Sequence, residues 1–529
     1  MKKNVLFLLA GLVIIAFSCT QITELTPEEQ IPSGPVTITV NMDPETKATL
    51  AEETGAFAFS SGDAIKIFNG SSVYTGTTTS TANSGSFTME EGFTAGSGFA
   101  GFPASMVSSI DGNGVVFTLP DKYAFEEVGS TNADAAKVPC PMIGTYTAGN
   151  SISLKQAGAV IRFRITNVAA GSLVFIFPTN VTGTTNALTT PASASDKGIL
   201  ASNLTGAGYL SYQPKNSGYT YHSLANNTIT VIGVPNVENG NYIYITLPVP
   251  AETKPQNITV MNVSSSSDNN RKAILTGVNE ALSRAGGHKM GVTLDLVSPT
   301  NLSNIPDADY TAKNGETLTG ILNVNRKISI EPGATVVLDG VTINGTNNSS
   351  YKWAGINCEG NATIILSGSN SVKGFYDEYP GIIVAIQKTL TILGTGSLEA
   401  KSSGWASGIG GGYNKDAGFI VLKGGDITAT GGSYSTGIGG GSASACYGIC
   451  VTDGVISVKA TRGSNSGLNS IGNGAGKCGP ITFGTEQVYD GDGATATSTW
   501  MPDPMVAGNY GGLSLAISGS TWTLTPVSQ

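Results

Sequence analysis

Trp405-Ala406-Ser407-Gly408-Ile409-Gly410-Gly411-Gly412 returns, little changed, as Tyr434-Ser435-Thr436-Gly437-Ile438-Gly439-Gly440-Gly441. Looser copies flank the pair: Trp353-Ala354-Gly355-Ile356 and Tyr379-Pro380-Gly381-Ile382 before it, and Leu468-Asn469-Ser470-Ile471-Gly472-Asn473-Gly474 after it. The five isoleucines are 26, 27, 29 and 33 residues apart. Strand-like runs fill the intervals, from Ala362 to Val372, Leu390 to Ala400, Phe419 to Ala429 and Ile449 to Ala460. A period of this size marks a solenoid. One motif and two further strands in each ~27 residues fit one turn of a parallel β-helix. Stacked turns bring equivalent residues to ~4.8 Å, so isoleucine would fill the interior as a column. Glycine would sit where the corner needs positive φ or close backbone approach. The spacing therefore predicts a right-handed parallel β-helix over 299–529. The hairpin Leu513 to Ile517 and Trp522 to Thr525, joined by Trp500, is expected to cap its last turn.

Before that region the periodicity changes. Val36-Thr37-Ile38-Thr39-Val40-Asn41-Met42, Ala64-Ile65-Lys66-Ile67-Phe68 and Ala159-Val160-Ile161-Arg162-Phe163-Arg164-Ile165 alternate apolar with polar, as do Asn241 to Leu247 and Val292 to Leu296. Strict alternation gives one buried and one wet face, which is how antiparallel sandwiches are written. The composition agrees: charged residues are 12% of the 529, about half the usual share, and 70 are Gly. The fold class expected is all-β, with β-sandwiches over 35–168 and 169–298, divided just after the strand bearing Arg162 and Arg164. The net charge is -9 and no basic patch stands out, so nucleic acid is not an expected partner.

The N-terminus reads as a targeting segment over 1–19. Lys2 and Lys3 precede an apolar run from Val5 to Phe17, and Ala16-Phe17-Ser18-Cys19 follows. This looks like a lipobox, and the resemblance implies acylation of Cys19 and an outer-membrane lipid anchor, in the two-chain regime that holds stably. Residues 20–34, with Glu24, Glu28 and Glu29 and no apolar core, read as a tether.

The tether, the Thr46-Lys47-Ala48-Thr49 step, Phe59 to Phe68, Ala157 to Ile165 and the closing Gly291-Val292-Thr293-Leu294-Asp295-Leu296 together resemble the fimbrillin family of Gram-negative lipoproteins. The resemblance covers about half the chain. It implies two transthyretin-like β-sandwich domains, proteolytic trimming between Lys47 and Ala48, and assembly with other pilus subunits by strand exchange. Release of Val36 to Met42 would leave an apolar groove with open backbone groups for a donor strand. The 230 residues that follow these domains make a short free donor tail awkward, which points to a tip, an accessory or an anchored role. The Gly-Ile-Gly-Gly-Gly repeat is similar to those of Gly-rich β-helical surface proteins.

Catalysis finds little support. Both histidines, His222 and His288, precede the repeats, and the arginines after residue 299 are Arg326 and Arg462. The acids of that half are scattered, whereas β-helical polysaccharide hydrolases and lyases need clustered carboxylates or a metal-holding set with a base. Asp416 and Asp426 stand near consecutive corners, where a Ca²⁺ between turns is conceivable but a solvated carboxylate is the plainer reading. No cofactor is expected. Of the cysteines besides Cys19, Cys446 and Cys478 follow matching turns and should be neighbours, with or without a disulfide.

Trp353, Tyr379, Trp405 and Tyr434 each stand three or four residues before a repeat isoleucine and should align on successive turns. An exposed aromatic stripe holds sugar rings; rings ~4.8 Å apart would instead stack into a packed ladder. Phe375, Tyr376 and Tyr413 are alternative contact residues in nearby loops. The function expected is a non-enzymatic surface adhesin, a fimbrial tip or accessory subunit binding a glycan or host ligand. A stand-alone lipid-anchored polysaccharide-binding protein and a β-helical lyase are the alternatives.

Overall fold

The computed structural model describes residues 36–42, 58–117 without 113, 122–125, 141–177 without 150 and 158, 208–213, 218–223, 228–249, 257–275 without 265, 282, 287–489 without 307, 465–468, 473, 475–477 and 485, and 505–527. Among them the regular elements are strands and three short 3-10 turns, so the protein is all-β. Trp500 lies outside the described residues.

In the first region Thr37–Met42 runs antiparallel to Ser84–Met89 on one side and parallel to Ile152–Gln156 on the other. Because this strand pairs along both edges, the strands of the region join into one closed barrel instead of two separated sheets. Its alternation places Ile38, Val40 and Met42 in the core with Phe59, Ile65, Ile67 and Phe87, and Phe59 meets Phe87 edge-on at 5.0 Å.

The strand Ala159–Val168, placed at the end of the first region by the sequence, pairs instead with Val237–Val249 and with Gly287–Thr293. That corrects the division at 168/169. The side chains of Ile161, Phe163 and Ile165 enter a core shared with Leu173, Phe175 and Val231 from a facing six-stranded sheet. Phe163 and Phe175 stand 4.7 Å apart there. Lys122–Ala124 crosses over to pair with Thr228–Val234 in that sheet, so an earlier segment is woven into the later core. Alternation locates a strand's buried face but not its partner, and this is why the boundary was misplaced.

From Tyr310 to Phe483 successive turns pair in parallel, and the pairing repeats. Tyr310–Ala312, Ile328–Ile330, Ile356–Cys358, Ile382–Val384, Ile409–Gly410, Ile438–Gly439 and Ile471–Gly472 form one ladder in that order. Its column of Ile328, Ile356, Ile382, Ile409, Ile438 and Ile471 is fully buried. A second ladder stacks Val336, Ile364, Ile392, Leu422, Val451 and Phe483 inward. The third stacks Val372, Ala400, Ala429 and Ala460. Small residues in the third column leave room for the branched ones of the other two, so one core runs through the stack.

Polar groups stitch these turns. Buried Asn370 accepts from the Val341 N–H at 2.9 Å and donates to the Ser367 and Ser397 carbonyls at 2.9 and 3.0 Å, spanning three turns. At the Gly-rich corners the hydroxyls of Ser407 and Thr436 donate to Gly411 and Gly440 carbonyls at 3.0 and 2.9 Å. Gly410, Gly439 and Gly472 share φ of 132, 123 and 129°, and a Cβ on Gly410 would run into the Gly439 carbonyl. The C-terminal hairpin of Leu513–Ser518 and Thr521–Pro526 lies antiparallel on Ser457–Thr461, with Trp522 opposite Ala460. Cys446 and Cys478 form a parallel bridge on adjacent turns, both buried and neither in a disulfide. Burial alone pushes the Cys358 thiol up to about 12.

Candidate functional site

The aromatic residues before the repeat isoleucines sit in corner loops held to one another by backbone. Trp405 N–H donates to the Asp377 carbonyl at 2.7 Å, Tyr413 N–H to the Glu378 carbonyl at 3.0 Å, and Ser442 N–H to the Trp405 carbonyl at 2.9 Å. Three turns are thereby fixed around one corner, which orients whatever rings project from it.

The four rings do not form one stack. Trp353 is half-buried between Tyr351 and Phe375, at centroid distances of 5.4 and 5.7 Å, and Phe375 is itself fully in the core. Tyr379 is half-buried and covered by Lys415, whose Nζ lies 3.7 Å from the ring centroid. Trp405 is 43% exposed and Tyr434 53% exposed. Burial follows the spacing: the two covered rings stand three residues before their isoleucine and the two open rings four. The expected column is thus divided, two rings packing and two presenting a face.

Trp405 pairs with Tyr413 at 5.3 Å and an interplanar angle of 52°, which makes a two-ring platform on the corner. Tyr413 was an alternative contact residue in the sequence, and Phe375, another, is excluded by its burial. Tyr434 carries φ of +59°. For a bulky side chain the left-handed region is costly and rare, so an exposed ring is held there at the expense of backbone comfort. Lys415 was not foreseen. Its backbone N–H donates to Ser444 Oγ at 2.9 Å, which aims the chain across Tyr379.

The two acids that stand near consecutive corners serve the scaffold. Asp416 Oδ1 accepts from the Ala445 N–H at 2.7 Å, and Asp426 Oδ1 from Ser457 Oγ at 2.5 Å. Burial, and secondarily the Asp416 charge, raises the Tyr447 phenol above its ordinary value. Among the described residues no three of His, Cys, Asp and Glu converge to hold a metal. The arrangement leaves the rings of Trp405 and Tyr434 open to solvent at the corner.

No family model matches the chain, and no curated protein matches it. A crystal structure of a candidate cell adhesion protein from Bacteroides ovatus ATCC 8483 is similar over 50% of this chain and 95% of that one, at 11% identity and a TM-score of 0.25. So small a superposition carries no argument for this chain.

The remaining sequence-predicted site residues, Cys19, Lys47 and Ala48, lie outside the described residues. The strand that cleavage between Lys47 and Ala48 would release, Thr37–Met42, is the one that closes the barrel.

Proposed function

We propose that the protein is a non-enzymatic surface adhesin whose residues 299–529 form a right-handed parallel β-helix presenting a glycan or host-ligand site at Trp405, Tyr413 and Tyr434. The observation that carries this reading is the outward pair Trp405 and Tyr434 on one corner, the latter on a strained backbone. Exposed aromatics that a fold could bury or replace by glycine are retained where they meet a partner. Trp353 and Tyr379, expected as ligand contacts, are instead engaged with Tyr351 and Phe375 and with Lys415.

Residues 35–298 are read as two fimbrillin-like domains related to transthyretin sandwiches, the first closed into a barrel by Thr37–Met42. An anchor at Cys19 would place the protein on the outer membrane, and cutting between Lys47 and Ala48 would commit it to a fimbrium as a tip or accessory subunit. Loss of Thr37–Met42 would open ladders on Ser84–Met89 and Ile152–Gln156, and an incoming strand with an apolar residue at every second position would replace Ile38, Val40 and Met42.

A glycan array tests the site. Wild-type protein should bind a defined subset of glycans, and Trp405→Ala and Tyr434→Ala should each weaken those hits at least about tenfold. Unchanged binding by both variants would remove the corner as the site, and release of new reducing or unsaturated sugar ends would replace adhesion by catalysis. Mass spectrometry of surface-extracted protein tests assembly: a new N-terminus at Ala48 is expected, and an intact acylated Cys19 in all of it would exclude entry into a polymer.

A further inference from the structure

The corner that carries the open rings also carries a strip without side chains. Gly404 precedes Trp405, Gly432 lies two residues before Tyr434, and Gly463 takes the same place one turn further on. Gly432 N–H donates to the Ala406 carbonyl and Gly463 N–H to the Ser435 carbonyl, both at 3.0 Å, which holds the three turns in step. None of the three has positive φ, so what requires glycine here is the close approach of backbones. A Cβ on Gly432 would strike the Gly404 carbonyl, and one on Gly463 the Gly432 carbonyl. All three are half-buried, so the strip they form meets solvent.

The strip crosses the turns along the coil axis. In each turn it follows the end of the third ladder, where Lys401, Thr430 and Thr461 pair in register, and it is followed by Trp405 in one turn and Tyr434 in the next. Lys401 is already engaged, its Nζ lying 2.5 Å from Glu399 Oε1. At the start of the strip Asp377, from the turn before, sets its Cβ and Cγ where a side chain on Gly404 would stand. Among the described residues the Asp377 carboxylate has no hydrogen-bond or ion-pair partner.

Resting on the glycan site read at Trp405 and Tyr434, we propose that its ligand is a neutral, linear, β-1,4-linked pyranose chain lying along the coil axis over the glycine strip. Successive turns step by ~4.8 Å, close to the length that one pyranose adds to an extended chain, so neighbouring sugars meet neighbouring turns. With no side chain on the strip, flat equatorially linked rings settle against backbone while their C–H groups reach the indole and the phenol ring. A coiled α-1,4-linked chain leaves the strip after a residue or so. Asp377 accepts hydroxyl hydrogens at one end and repels a carboxylate there, which favours neutral sugars over uronates.

The test is calorimetric titration of the full chain with cellobiose, cellotetraose and cellohexaose, with maltohexaose and hexagalacturonate as controls. Affinity should rise at least about tenfold from cellobiose to cellohexaose, and both controls should bind at least about tenfold more weakly than cellohexaose. Tyr434→Ala should remove the advantage of cellohexaose over cellobiose, Asp377→Asn should narrow the gap to hexagalacturonate, and Trp405→Ala should abolish binding of the whole series. Thermal melts of each variant confirm folding. Equal affinity for cellobiose and cellohexaose, equal binding of either control, or no cello-oligosaccharide binding while array glycans are still lost in Trp405→Ala would overturn the proposal and leave the corner a glycan site. Binding of cellohexaose and of the array glycans unchanged in Trp405→Ala would remove the corner itself, and the proposal with it.

Discussion

The first three hundred residues and the coil that follows are both all-β, yet they fix their registers by different means. In the coil each strand pairs with its own near-copy one turn away, Ile382 with Ile409 and Ile409 with Ile438. In the earlier region partners come from distant sequence, Val40 from beside Ile152 and Ile161 from beside His288. Repetition supplies a strand's partner together with its pattern, whereas alternation alone supplies only a buried face. Gly410 and Gly439 of the coil are accordingly constrained twice, by φ and by the adjacent turn, while Gly62, Gly92 and Gly149 of the earlier region are constrained by φ only.

That contrast predicts unequal costs for similar changes. Gly439→Val forces a branched side chain into φ of 123° and against the Gly472 carbonyl. It should destabilise the coil by about 3 kcal/mol or more. Gly62→Ala, at φ of 94° with open space around the new methyl, should cost about 1 kcal/mol. Denaturant melts of the two variants make the comparison, and equal losses would dissolve it. Asn370→Ala should cost about 1–3 kcal/mol, because three backbone groups lose a buried partner. Tyr434→Gly should do the reverse, stabilising by about 1 kcal/mol as the backbone relaxes, while abolishing glycan capture at the corner. A stability gain without lost binding would separate Tyr434 from function. Smallest of all, Ser84→Ala removes an exposed hydrogen bond to Asn41 Oδ1 of 2.6 Å and should shift the barrel's stability by no more than about 0.5 kcal/mol.

The coil was legible because its isoleucines recur with glycine beside them. The turn at Ile328 escaped notice: Asn325-Arg326-Lys327 precedes it instead of a Gly-rich motif, and only its register to Ile356 reveals it. In the earlier region the strands were legible but their allegiance was not, because nothing in Ala159–Val168 itself names Val237–Val249 as its neighbour. For the site, the aromatic positions were readable and their exposure was not. A one-residue difference in offset from the isoleucine divides rings covered by Phe375 or Lys415 from rings left open.

The account rests on Trp405 meeting its ligand through an open indole while Trp353 and Trp522 stay packed. Indole N–H resonances of ¹⁵N-labelled protein, followed during titration with a glycan taken from the array, read this directly. A shift of the Trp405 resonance with those of Trp353 and Trp522 unmoved is the predicted result. A bound glycan that leaves Trp405 unshifted would contradict it.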